Sequence, residues 1–174
     1  MKIRIVRHTQ VGLPPGICYG FSDVPLAESW EKDISKVMEQ IQDSKDCLVY
    51  SSPLTRCRIL AEKLSGNVIL DDRLKELNFG RWELQPWDKI EGPEADRWMK
   101  DYVNFHCPGG ESYIDLCERV KSFLTDLQHN VFAGCIIVTH AGVMHATNAI
   151  LKQTPLHQSF ETKIAFGEVL ELSF

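Results

Sequence analysis

Two histidines and two arginines stand where short apolar runs stop. Residues 3–9 run Ile3-Arg4-Ile5-Val6-Arg7-His8-Thr9, and residues 135–142 run Cys135-Ile136-Ile137-Val138-Thr139-His140-Ala141-Gly142. A third apolar run, residues 47–51, leads into Ser52-Pro53-Leu54-Thr55-Arg56. Arginine suits phosphate because its planar fork donates paired hydrogen bonds and stays charged. Arg7, His8, Arg56 and His140 therefore read as the makings of an anion site. Taken singly, a strand-end histidine is more often structural and a helix arginine usually solvated. Their conjunction is what calls for an explanation.

A reaction that expels an alkoxide also needs an acid, since the unprotonated oxygen leaves poorly. Glu76, between Leu74 and Leu77 and just ahead of Phe79-Gly80-Arg81-Trp82, is the candidate. Partial burial there would suit a carboxyl group that must hold a proton near neutral pH. On local sequence alone a surface glutamate on a polar loop is the favoured reading.

The elements that must position these groups follow from periodicity. The runs at 3–7, 47–51, 68–70 and 135–139 are short and rich in β-branched residues, as buried parallel strands are. Helical spacing covers 26–42, where Trp30, Ile34, Val37, Met38 and Ile41 are apolar, and about 112–129, with Ile114, Leu116, Val120, Phe123, Leu124 and Leu127. Further helices are expected over 52–64, with Ser52 as N-cap and Pro53 in the first turn, and over 143–151. A last strand pairing is expected over about 164–172. Residues 11–25 form a Gly/Pro-rich loop, and 71–108 is irregular or in short helices and holds three of the four tryptophans. Alternating strands and helices imply a three-layer α/β/α domain with a mainly parallel central sheet and a small helical or irregular cap segment. In such sheets ligands bind beyond the carboxyl ends of the strands, where the histidines fall.

The 174 residues suit a single domain, 1–174, able to bury about 70% of its unfolded surface. Net charge is −5, from 19 basic and 24 acidic side chains, with no Lys/Arg run. Nucleic acid is therefore not an expected partner. No apolar run approaches the roughly 18 residues of a membrane span, and the N-terminus enters a strand without a signal-peptide pattern. The six cysteines never fall as Cys-x-x-Cys, so a reduced cytoplasmic protein without a metal site is expected.

Five segments occur in order: Arg7-His8-Thr9; Ser51 to Cys57; Glu76 with Phe79-Gly80-Arg81-Trp82-Glu83; Gly109-Gly110-Glu111-Ser112; and Val138-Thr139-His140-Ala141-Gly142. Together they resemble the histidine phosphatase superfamily, the phosphoglycerate mutase-like proteins, over nearly the whole chain. The resemblance implies that His8 is a nucleophile forming a phosphohistidine, with its other ring nitrogen held by a backbone carbonyl. Arg7, Arg56 and a protonated His140 would hold the phosphoryl oxygens, the Ala141 N–H would add a donor, and Glu76 would protonate the leaving oxygen. It implies no cofactor and no metal. This chain has Thr9-Gln10-Val11 where many members have Gly-Glu-Thr, and Thr9 could set a hydroxyl near the phosphate. Leu84 replaces a glycine that often follows the Trp-Glu pair.

Cys18-Tyr19-Gly20, followed by Asp23-Val24-Pro25-Leu26, resembles the α-ribazole phosphatases within that superfamily. The implied substrate is a small phosphomonoester, the 5′-phosphate of α-ribazole, with Tyr19, Gly20, Trp82, Thr9 and Ala141 as binding residues. Tyr19, Trp82 and Trp87 could form flat walls against a benzimidazole, or the tryptophans could simply pack a small subdomain. Another small phosphomonoester, a phosphoprotein, phosphoglycerate mutase activity and a non-catalytic phosphate-binding module are the alternatives. Oligomeric state is not legible. His106, His129, His145 and His157 read as structural or surface residues.

Overall fold

The computed structural model describes residues 2–41, 47–129 and 134–173. A five-stranded sheet in the order β3-β2-β4-β1-β5 runs through it, built from β1 (Lys2–Arg7), β2 (Leu48–Ser51), β3 (Val68–Leu70), β4 (Gly134–Thr139) and β5 (Val169–Ser173). The β1–β4, β2–β4 and β2–β3 pairs are parallel, and only β5 is antiparallel, against β1. The register sets Val6 beside Val138 and Arg7 beside Thr139. His8 and His140 thus leave adjacent strands at the same height.

Alternation along the central strands fixes the layers. Val6, Val49, Ile136 and Val138 face one side, where they are covered by α1 (Trp30–Gln40) and α2 (Thr55–Leu64). Ile3, Ile5, Cys135 and Ile137 face the other, against α4 (Tyr113–Gln128) and α5 (Ala141–Lys152). Helix α4 supplies Leu116, Val120, Phe123, Leu124 and Leu127, all buried, each stabilising by about 2 kcal/mol. The arrangement is the expected α/β/α sandwich. Between β3 and α4 lie three short 3₁₀ turns and α3 (Pro93–Lys100), the irregular cap.

Several boundaries differ from expectation, each for a local reason. Helix α1 begins at Trp30, because Leu26 bridges to Val11 and the Ala27 N–H donates to the Gln10 carbonyl. Its expected last residue, 42, lies outside the described residues. Helix α2 begins at Thr55, not at Ser52-Pro53. The Ser52 N–H is still bonded to the Val138 carbonyl, as an extension of the sheet, and Leu54 is the N-cap. Strand β5 begins at Val169 because residues 164–168 turn. Gly167 has φ +70° and its N–H meets the carbonyls of Arg7 and His8. Helix α5 starts at Ala141, earlier than the spacing suggests, with His140 as its N-cap. Among the described residues no helix is long and apolar enough to cross a membrane, and all six cysteines are free thiols.

Candidate active site

His8 and His140 meet at the carboxyl ends of β1 and β4, with ring centroids 5.1 Å apart and an edge-on arrangement. Both are buried. The His8 Nδ1 lies 2.7 Å from the Thr9 carbonyl oxygen. A carbonyl only accepts, so the proton is on Nδ1 and the lone pair is on Nε2. Phe166, in the turn before β5, packs 5.5 Å from the His8 ring and 3.9 Å from the Arg7 guanidinium carbon.

Arg56, in the first turn of α2, is completely buried. Its two terminal nitrogens donate to carbonyls of the long loop, Nη1 to Ser22 at 2.8 Å and Nη2 to Gly20 at 2.6 Å. Gly20 must be glycine, since a Cβ there would lie 1.8 Å from the Leu77 carbonyl. The loop is itself held by Glu83, whose carboxylate accepts the N–H groups of Phe21, Ser22 and Phe79. Asp23 accepts both the Thr55 N–H and its hydroxyl, tying the loop to the start of α2. Residues 20–23 are thus an arginine clamp. Three donors in this cluster remain buried without a partner: Arg7 Nε, Arg56 Nε and the Thr9 hydroxyl. Buried donors left in this way cost stability that an anion's oxygens would restore.

Burial, and then the Arg56 charge, push both imidazoles well below the ordinary histidine pKa. The expectation of a protonated His140 is therefore corrected: with Arg7, Arg56 and Arg119 all lowering it, the ring is neutral near pH 7. Its Nε2 sits 2.9 Å from the Ser52 hydroxyl and 3.4 Å from the Cys57 thiol, which also donates to the Thr139 carbonyl. Neutral imidazole still offers one N–H to an anion.

Glu76 stands on the far side of this cluster. Its carboxylate accepts the Leu77 N–H at 3.0 Å and the Gly142 N–H at 3.1 Å, from the first turn of α5. A Cβ at Gly142 would fall 2.3 Å from Glu76 Oε1, so a larger residue there would displace that carboxylate. The backbone of residues 73–78 is fixed from below by Arg119 on α4. Arg119 donates to the carbonyls of Arg73, Lys75 and Glu76 and pairs with Glu111 at 2.9 Å. Glu111 in turn accepts the Asn78 N–H. Sequence reasoning missed Arg119, Ser52, Cys57 and Glu83 as site-building residues. The Ser52 and Glu83 motifs were visible, but no signal in the sequence ties Arg119 to residues 73–78.

Glu76, Ala141 and Gly142 also border an apolar cavity of about 270 Å³, walled by Leu77, Phe79, Trp98, Tyr102, Tyr113, Leu116 and Phe160. The structure brings Arg7, His8, Arg56, His140, Thr9 and Glu76 together, with Ala141 at the junction. It does not bring the expected aromatic walls. Trp82 is buried edge-on against Trp98 and does not line the cavity. Tyr19 lies 5.2 Å from the Arg56 guanidinium and lines a separate groove with Val11, Leu13 and Phe166. Trp87 stacks on Trp98 from outside. Among the other histidines, His145 packs against Phe160 and His106 pairs with Asp115. No cluster of three potential metal ligands occurs among the described residues.

A family model described as the histidine phosphatase superfamily, branch 1, matches residues 3–174. The "Putative phosphoserine phosphatase 2" of Hydrogenobacter thermophilus is 27% identical over 158 residues, covering 86% of this chain and 78% of that protein. The "Probable phosphoglycerate mutase GpmB" of Escherichia fergusonii is 29% identical over 165 residues, covering 82% and 76%. The solved structure of the α-ribazole phosphatase from Shigella flexneri aligns with a TM-score of 0.89 at 23% identity, covering 99% of this chain and 90% of that one. At that identity the likeness bears on the fold.

Proposed function

The chain belongs to the histidine phosphatase superfamily, branch 1, and on that premise we propose that it hydrolyses a small phosphomonoester through a phosphohistidine. One observation carries the reading: a buried imidazole with its Nδ1 proton anchored on the Thr9 carbonyl, beside Arg7 and Arg56 donors that lack acceptors.

In the first half-reaction the His8 Nε2 lone pair attacks phosphorus, and the bond from phosphorus to the ester oxygen breaks. The departing electron pair takes the proton of Glu76, so an alcohol leaves. Arg7, Arg56 and His140 hold the phosphoryl oxygens as charge shifts onto them. In the second half, the Glu76 carboxylate takes a proton from water, the hydroxide oxygen bonds to phosphorus, and the P–N pair returns to Nε2. The products are alcohol and inorganic phosphate. Fixed guanidinium groups supply the cationic charge, so turnover is expected to persist in EDTA.

For the substrate, the 5′-phosphate of α-ribazole is the reading that fits best. The Cys18 to Leu26 segment supports it, as does the aromatic cavity next to Glu76, although residues 20–23 are also explained by the arginine clamp. Measuring kcat/KM for phosphate release from α-ribazole 5′-phosphate with EDTA present tests both parts. A value on the order of 10⁴ M⁻¹s⁻¹ or more is expected of a physiological substrate. Conversion of 3-phosphoglycerate into 2-phosphoglycerate without phosphate release would instead make the chain a mutase.

A further inference from the structure

We propose that the cavity beside Glu76 is a leaving-group pocket for alcohols carrying a flat, uncharged ring, and that it rejects small anionic alcohols. The proposal rests on the phosphomonoesterase reading above and assigns that site its substrate class.

The cavity shares Glu76, Ala141 and Gly142 with the phosphoryl cluster, so a group released next to Glu76 has this cavity directly beside it. Its walls are apolar almost throughout. Phe79, Trp98, Tyr102, Tyr113 and Phe160 present ring edges and faces, with Leu77 and Leu116 completing the surface. Rings arranged in this way favour another flat ring, stacked with an offset or met edge-on. A cavity of roughly 150 Å³ takes up benzene, so the 270 Å³ available here suits one ring or two fused ones.

The lining contains no lysine, arginine or histidine, and its one charged side chain is Glu76. A carboxylate brought in with the leaving group would lose its water and find no cation in the lining. The nearby guanidinium groups do not relieve this. Neither Arg7 nor Arg56 lines the cavity, and their unpartnered Nε donors are the ones the phosphoryl oxygens take. Phosphoserine and phosphoglycerate, the compounds in the names of two relatives, are by this argument poor substrates here.

Alkyl phosphates with leaving groups of similar basicity isolate the effect. We would measure kcat/KM for phosphate release from 2-naphthylmethyl phosphate, benzyl phosphate, ethyl phosphate, O-phosphoserine and 3-phosphoglycerate. The ringed esters are expected to exceed ethyl phosphate by about 100-fold, with both anionic esters below ethyl phosphate. Phe160 is half-exposed and packs 5.0 Å from Tyr113, so Phe160→Ala should remain folded while cutting the benzyl-to-ethyl ratio about tenfold. If circular dichroism shows that variant unfolded, Phe160→Ser or Phe160→Thr, which also removes the ring, provides the same readout. Phosphoserine or 3-phosphoglycerate turned over as fast as benzyl phosphate would overturn the proposal, as would an unchanged ratio in the folded variant. No release from any ester would instead remove the phosphomonoesterase reading on which it rests.

Discussion

Two halves of one site are built in opposite ways. At the sheet edge, His8, His140 and Arg7 sit on or just beyond adjacent parallel strands, and Arg56 is locked by two carbonyls at the start of a helix. Across Glu76, the aromatic walls come from turns, α3, α4 and the segment after α5, between Phe79 and Phe160. The first half depends on hydrogen-bond geometry, and its side chains have little room to move. The second depends on packed rings, which tolerate substitution provided volume and polarity are kept. Reaction type is thus held by the sheet, and substrate choice is left to the cap.

The sharpest way to break this division is at the border. Glu76→Gln should lower kcat/KM on alkyl phosphates, which reports only the half-reaction up to alcohol release, by about 10²–10⁴-fold. On 4-nitrophenyl phosphate, whose leaving oxygen needs no proton, the loss should be small. Equal losses on both esters would mean that Glu76 serves the phosphoryl half instead.

Arg119 holds the border residue, and its removal should affect both stability and turnover. Arg119→Met leaves Glu111 without its partner and three carbonyls without a donor. Loss of one partner of a largely buried pair costs about 3 kcal/mol, measurable by urea unfolding. Glu76 should also lose its position, so kcat should fall while KM for a ringed ester stays near its original value.

The phosphoryl half should respond to acid. Both His8 and His140 are held below the ordinary imidazole value. Below about pH 6.5 the unfolded chain binds protons that the folded chain refuses, so stability should fall as pH drops through that window. Activity should persist below pH 6.5, because His8 is still neutral there, and be lost as pH falls through its lowered pKa. A kcat that already halves near pH 6.5 at saturating ester would contradict the burial argument.

The smallest effect belongs to the cap. Leu84 has φ +64° and an exposed side chain, a conformation that costs a leucine about 1–2 kcal/mol. Leu84→Gly should raise stability by about 0.5 kcal/mol after the glycine's greater chain entropy is counted, with kcat on ethyl phosphate unchanged. A lower melting temperature would mean that Leu84 packs usefully despite its exposure.

The same division explains what could be read from sequence. Strand periodicity located His8 and His140 because each stands directly after its strand, and register does the rest. Glu76 could be named through its motif, but its place depends on Arg119, more than forty residues away in the chain. The expected walls, Tyr19, Trp82 and Trp87, rest on ring type and nearness to motifs. Ring type does not say which way a side chain faces in a segment without period. Trp82 faces inward, and the cavity is walled by Tyr102, Tyr113 and Phe160, which sit in an irregular segment, a helix start and a late turn. The helices expected from Leu26 and Ser52 start later for a related reason: tertiary hydrogen bonds to Gln10 and Val138 override local signals.

The central claim is that His8 carries the phosphoryl group. The most direct test is to quench the enzyme within its first turnover of a ³²P-labelled phosphomonoester and map the label by peptide mass spectrometry. The account requires an acid-labile, base-stable phosphoryl group on His8, absent from His8→Ala, and released as inorganic phosphate on a time course matching turnover. Label on another residue, or normal turnover by a folded His8→Ala, would contradict it.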